Sequence, residues 1–191
     1  MSVTVTNLIA GPATLYVGAF GATEPTDANV NTTPAASTWT DMGGTQDGAT
    51  LTLNQDFFEL EVDQIVDIPG RRLTKRDVQV KTNLAEATLD NLLVALNDGT
   101  VSASASYSTF DPADTNAATQ PTYRAILLDG WAPQTGAGVS NRRRVVLRKV
   151  LSIDNVESEY KKDGQTLIPV TFGVHYVSSA IKPFRIIDQT A

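Results

Sequence analysis

Trp39 to Leu96 reads WTDMGGTQDGATLTLNQDFFELEVDQIVDIPGRRLTKRDVQVKTNLAEATLDNLLVAL, and its periodicities decide the fold class. Gly43-Gly44 and Asp47-Gly48 are turn signals leading into Thr50-Leu51-Thr52-Leu53, where apolar and polar residues alternate with the period of a half-buried strand. A second alternating run, Asp77-Val78-Gln79-Val80-Lys81, follows a long connection. Asn83-Leu84-Ala85-Glu86 then predicts a helix start, with Asn83 as N-cap and Glu86 placed to bond back to the Asn83 N–H. Leu89, Leu92, Leu93 and Leu96 share one helical face, and burying each leucine contributes about 1.5–3 kcal/mol. Asn97-Asp98-Gly99 stops the helix, glycine suiting the left-handed position after its end. The pattern is strand, long loop, strand, capped helix.

Outward from that stretch the chain is rich in strands. Ala13 to Gly18, Val101 to Tyr107, Tyr123 to Leu128, Arg142 to Ile153 and Ile168 to Tyr176 alternate or carry dense apolar residues. Asp129-Gly130 marks a strand end and Asp163-Gly164 a hairpin turn. The segment from Gly18 to about Ser37 reads as an exposed loop, with Trp39 anchoring the chain after it. Between Thr50 and Val62 the apolar parity slips from Leu51, Leu53 and Phe57 to Phe58, Leu60 and Val62, which predicts a bulge near Phe57-Phe58. The connection Asp63 to Thr74 is long for a hairpin, whose loops hold about two to five residues. It also carries Ile65, Val66 and Ile68, which either cover the protein's own core or meet a partner. The expected architecture is a single domain over 1–191, mainly β, built of two packed antiparallel sheets (a sandwich or partial barrel) flanked by one helix. An N-terminal arm over about 1–12 and a C-terminal arm over about 178–191 extend from it, the latter with Phe184, Ile186 and Ile187.

Composition narrows the chemistry. There is no cysteine, hence no disulfide frame or thiolate metal site, and no apolar run approaches the roughly 20 residues that cross a bilayer. The start, MSVTVTNLIAGPA, lacks the basic segment of a secretory signal, so synthesis in a cytosol is expected. The net charge of −6 is uneven: no Lys or Arg precedes Arg71, while Asp56, Glu59, Glu61 and other acids do. Such asymmetry suits head-to-tail self-contact, or simply reflects a charged surface. His175, the only histidine, falls mid-strand and has a structural role. The acids Asp154, Glu157 and Glu159 lack the spacing of a Ca²⁺ loop, and Gly136-Ala137-Gly138 lacks the lysine and helix of a phosphate loop. Arg142-Arg143-Arg144 is the one candidate nucleic-acid patch, without interleaved aromatics. No catalytic, cofactor or metal residues are expected, and the chain is not expected to be an enzyme.

These residues carry a family resemblance. Gly44-Thr45-Gln46-Asp47-Gly48 before an acidic hairpin, then Leu84 through Leu92, resembles the turn and helix of the major tail tube proteins of long-tailed, siphovirus-like bacteriophages. In the family pattern one residue separates the first glycine from the threonine; here they adjoin. Gly11 to Gly18, Tyr160 to Thr166 and Ile168 to Phe172 match in the expected order, so the resemblance touches most of the chain. It implies hexameric rings stacked into a tube that conducts DNA into the host, assembled in the host cytoplasm and residing in the virion tail. The implied partners are further copies of the chain, a tape-measure protein, a tail terminator and distal tail or baseplate proteins. Double-stranded DNA would pass without specific binding, and nothing inserts into a membrane. The resemblance makes Ile65, Val66, Ile68, Arg71, Arg72, Phe184, Ile186 and Ile187 candidate inter-subunit or inter-ring contacts. Asp56, Glu59 and Glu61 become candidates for the lumen, where duplex DNA, with about one charge per 1.7 Å, slides past an acidic or neutral wall but is held by a cationic one. Alternatives are a secretion-system ring, a tail-derived particle, or a carbohydrate-binding β-sandwich on a virion. The last needs a row of solvent-facing aromatics, which Trp39 and Trp131 do not form.

Overall fold

A computed structural model describes residues 3–113, 120–134 and 141–190. The elements in order are β1 (Thr14–Ala19), β2 (Thr40–Asp41), β3 (Thr45–Leu60), β4 (Gly70–Leu84), α1 (Leu89–Ala95), β5 (Thr100–Ala103) and β6 (Ser108–Asp111). They continue with β7 (Arg124–Ala132), β8 (Asn141–Ser152), β9 (Ile168–Val174) and β10 (Phe184–Asp188). Among the described residues, ten strands and one α-helix, the strands all antiparallel, make the protein mainly β as expected.

Eight strands form one sheet in the order β2-β1-β7-β8-β9-β4-β3, with β10 also pairing β8; β5 and β6 form a separate small sheet. Only Met42, Gly43 and Gly44 separate β2 at one edge from β3 at the other. The Met42 N–H donates to Leu15 O at 3.0 Å, and the Ala85 N–H donates to Gly44 O at 2.8 Å, so that short connection touches both edges. The sheet must therefore roll until its ends nearly meet, giving an unclosed partial barrel whose halves act as the two layers. Inside it, Leu15 of β1, Ile126 of β7, Leu147 of β8, Phe172 of β9 and Val80 of β4 share one core with Val94 of α1. On the outer face Tyr16, Ala125, Leu127 and Val146 pack around Trp39. Trp39 is 2 % exposed and its indole N–H donates to Thr23 O at 3.0 Å, so it anchors the loop as its isolated position suggested.

A buried ion pair fastens that same loop. Arg144 is 1 % exposed and reaches both oxygens of Asp129 at 2.6 Å. Its remaining donors meet Asn29 O at 3.3 Å and Thr32 O at 2.8 Å. Asp129-Gly130, expected to end a strand, instead continues β7, because Asp129 lies directly opposite Arg144 in the ladder. At the far edge of β8, Arg143 forms a fork with Asp188 of β10 at 2.6 and 2.7 Å. That hydrogen bonding holds the Asp188 carboxyl below its usual value and raises the Arg143 guanidinium.

The helix departs most from expectation. Asn83 and Leu84 face Pro169 and Ile168 as ladder residues of β4, so strand pairing overrides the capping-box pattern. Thr88 is the N-cap, its hydroxyl accepting the Asn91 N–H at 3.2 Å. Glu86 accepts from the Gly44 N–H at 3.1 Å instead of from Asn83. Gly43, with φ 79°, lies against that carboxylate, where any Cβ would collide. The buried face of α1 is Asn91, Val94 and Ala95, while Leu89, Leu92 and Leu93 are half-buried and Leu96 is 43 % exposed. The Asn91 amide donates to Met42 O at 3.0 Å and Glu86 O at 2.8 Å. Those two bonds set the rotation of this short helix, turning the leucine stripe partly outward. Asp47-Gly48 is likewise a bulge within β3, both residues at positive φ, and not a turn before it. Asp163-Gly164 lies in a turn of the long β8–β9 connection, not at a tight hairpin.

Arg144→Ala is expected to destabilise by about 3–5 kcal/mol, because it removes a buried guanidinium and leaves the part-buried Asp129 and the Asn29 and Thr32 carbonyls without their donor. At this chain length that lowers Tm by roughly 6–20 °C, readable by calorimetry. For Asp188 the folded pKa is depressed, so its contribution is present above the unfolded value of about 3.9 and is lost as pH falls through the folded value. The pair is more than one-third exposed, so solvent screening limits it to about 1 kcal/mol or less. Thermal melts at pH 6 and pH 3 should show that Asp188→Asn lowers Tm at pH 6 and narrows the acid-induced drop.

Candidate assembly surface

The β3–β4 hairpin leaves the body of the sheet. Among the described residues β4 pairs with β9 only over Gln79 to Leu84 and β3 has no second neighbour, so beyond Asn54 and Asp77 the two strands pair only with each other. A two-stranded ribbon is marginal in water, because neither face is covered. Here Leu53, Phe57, Phe58, Leu60 and Leu73 are exposed along the strands, and Val62, Ile65, Val66 and Ile68 in the connection 61–69. Val66 is fully exposed. Of the two initial readings of this loop, coverage of the protein's own core is thereby removed.

The expected bulge is present, between Asp56 and Phe57 in the pairing, but the extra residue is Thr74 of β4. Its hydroxyl donates to Asp56 O at 3.0 Å. The shift sets Phe57 opposite Leu73 and Phe58 opposite Arg72, leaving an aromatic on each face of the ribbon. β4 begins at Gly70, so Arg71 and Arg72 are strand residues and the true loop is shorter than 63–74. Arg71 Nε donates to Glu59 Oε1 at 2.9 Å. Asp56 lies opposite Lys75, and Glu61 is exposed just past the end of β3. The acid-before-base asymmetry of the sequence is partly folded back on itself: Asp56 and Glu59 of β3 lie across the ladder from Lys75 and Arg71 of β4, with Arg72 and Arg76 beside them. Along the outer strands the four bases outnumber Asp56 and Glu59, and the tip carries Glu61, Asp63 and Asp67.

The C-terminal residues separate into two groups. β10 pairs with β8 of the same chain, Phe184 packs on the inner core, and Ile187 packs on the outer cluster. Ile186 remains exposed. The N-terminal segment carries exposed Val3, Val5 and Leu8 and is held where the Gln134 N–H donates to Thr6 O at 2.8 Å. Gly11 lies against the Trp131 ring so closely that any Cβ would overlap it.

The arginine run does not form a nucleic-acid patch. Arg142 stacks on Trp131 at 4.0 Å from the ring centroid, Arg143 holds Asp188, and Arg144 is buried on Asp129. Trp39 is buried and Trp131 lies beneath Arg142, so the tryptophans offer no sugar platform. His175 stands edge-on to Tyr123 with centroids 5.4 Å apart, and its backbone N–H donates to Lys149 O. Asp154 accepts hydrogen bonds from Thr171 and Asn155, and Glu159 pairs with Lys161. Among the described residues no cluster of His, Asp and Glu could hold a metal ion. Gly136-Ala137-Gly138 lies outside the described residues.

Two features escaped the sequence reading. Arg148 and Glu24 form an ion pair across 124 residues, raising the Arg148 guanidinium. A cavity of about 210 Å³ opens beside them, lined by Phe20, Trp39, Ala125, Val146, Val177 and Ile181. Its residues come from distant parts of the chain, and only the bare parity of β8, with Val146 and Arg148 on one face, hinted at it.

No curated protein matches the chain. Residues 4–189 match the family described as phage tail tube protein, a span running from the N-terminal segment through β10. The family's role is structural, as a component of the viral tail that assembles with itself and other tail proteins into a tube. The exposed two-stranded ribbon accords with that role. The chain belongs to the phage tail tube protein family.

Proposed function

We propose that this chain forms hexameric rings that stack into the tail tube of a siphovirus-like phage, with DNA passing through the lumen at ejection. The observation that carries the proposal is the β3–β4 ribbon: its outer half has no third strand and carries apolar residues on both faces and at its tip. Burying a side chain such as Phe58 or Val66 contributes about 1.5–3 kcal/mol each, a large reserve for association. Ile65, Val66 and Ile68 are the contacts between rings, and Ile186 is the exposed contact left on β10. Phe184 and Ile187 act indirectly, by seating β10 against β8. A tape-measure protein, a terminator and distal tail proteins complete the assembly in the host cytoplasm.

Asp56, Glu59 and Glu61 are proposed to line the passage. With Glu59 tied to Arg71 and Asp56 opposite Lys75, the wall is close to neutral instead of strongly acidic. Screening acts over about 8 Å at physiological salt, so such a wall neither holds nor strongly repels the duplex.

Negative-stain micrographs of the purified protein, alone and with its tape-measure partner, should show rings or tubes about one subunit thick in the wall. Deleting Ile65 to Ile68 should leave a folded subunit, with Tm within a few degrees of the parent, that no longer stacks. A persistent monomer in every condition would falsify the tube reading. In assembled phage, Asp56→Lys with Glu61→Lys should slow DNA ejection while leaving tube length unchanged, and ejection at the parental rate would remove these residues from the lumen.

A further inference from the structure

The strand register sets the direction of the hairpin relative to the rest of the sheet. Gln79 of β4 lies opposite Gly173 of β9, which lies opposite Leu151 near the end of β8. From Gln79 back to Gly70, β4 runs toward the level of Asn141, where β8 begins. The cavity beside Trp39 lies toward the other end. Phe20 follows Ala19, which pairs with Arg124, and Arg124 pairs with Val150. One chain thus carries an apolar projection directed to one end of its sheet and an apolar recess toward the opposite end.

Their charges also match. The tip bears Glu61, Asp63 and Asp67, none of which makes an ion pair among the described residues. Around the recess stand Arg148, Lys149 and Lys182. Arg148 is held by Glu24, but Lys149 lies over the Tyr123 ring at 4.2 Å, and neither it nor Lys182 has an acidic partner among the described residues. Phe20 and Ile181, the outermost lining residues, are both about half exposed.

We propose that the hairpin tip of one copy seats in the Phe20–Ile181 recess of the next, with Val66 entering the apolar cavity and the tip acids meeting Lys149 and Lys182. This rests on the self-assembly proposed above and names the receiving surface. The contact is head-to-tail: projection and recess are different surfaces of the same chain, so each added copy presents a fresh tip and a fresh recess. That geometry generates an open stack. A tip-to-tip contact would close on itself as a dimer.

The chain has no cysteine, so introduced pairs report without background. Assembled protein carrying both Val66→Cys and Ile181→Cys, treated with a short bis-maleimide, should give a ladder of covalent multimers on a denaturing gel. Mixed single variants should give only dimers, and neither single variant alone should give product. Tubes that form normally but yield no ladder would overturn the recess while leaving the tube reading intact. Product from Val66→Cys alone would mean tip-to-tip contact and would also overturn it. Absence of both tubes and product, in the parent as well, would remove the tube reading and this inference together. Should the double variant itself fail to assemble, Lys182→Glu decides: it sits outside the core and should raise the protein concentration needed for assembly several-fold, with Asp63→Lys restoring it. An unchanged threshold would overturn the proposed contact.

Discussion

Three residues hold the sheet in its rolled shape. Met42, Gly43 and Gly44 cross from the β1–β2 edge to the β3–β4 edge, and nearly every polar group near them is engaged in keeping them there. Leu15 accepts from Met42, Gly44 accepts from Ala85 and donates to Glu86, and Asn91 bridges Met42 to Glu86. The short crossing leaves the edges no freedom to separate, so the apolar faces of β1, β7, β8, β9 and β4 converge on a common interior. The helix belongs to this fastening: it supplies the Asn91 amide and only secondarily a hydrophobic face. Buried amides of this kind are favourable when both hydrogens are satisfied and expensive when either is lost.

The strands were largely legible in the sequence, the joints between them were not. Shared parity located β8 and alternation located β9, while dense apolar residues located β1 and β7, whose consecutive buried residues pack on both faces of the sheet. The same logic located the slip at Phe57-Phe58. It could not say which strand held the extra residue, since that depends on Thr74 reaching Asp56 across the pair. The capping-box reading of Asn83 and Glu86 failed because local spacing cannot weigh a nearby ladder. Leu84 is completely buried opposite Ile168, and that tertiary pairing outranks a cap. Thr88, the true N-cap, was visible as a capping residue type but stood inside a segment already assigned to helix.

For the assembly surface, the apolar loop was readable because Ile65, Val66 and Ile68 break the rule that connections are polar. The recess was not readable, because its lining comes from five separate segments and exists only after folding. The arginine run shows the converse. Three consecutive cations look like one patch in sequence, but strand alternation and different cross-strand partners send them to an indole ring, an edge carboxylate and a part-buried carboxylate. The acid-rich first third of the chain is moderated in the same way, since a hairpin places residues far apart in sequence directly opposite one another.

The unsupported half of the β3–β4 ribbon bears on how growth of a polymer begins. A ribbon with two open faces gains little from its own cross-strand bonds, so fixing its shape is nearly uphill for a solitary subunit. In the proposed stack, the first pair of copies must meet that ordering entropy with a single contact. Each later copy meets a tip already in place and loses less freedom on arrival. Such a polymer starts slowly and elongates quickly, and a template that orders the first ribbons determines where and when it forms. In the proposed stack, slow starting follows from the ribbon having no third strand among the described residues.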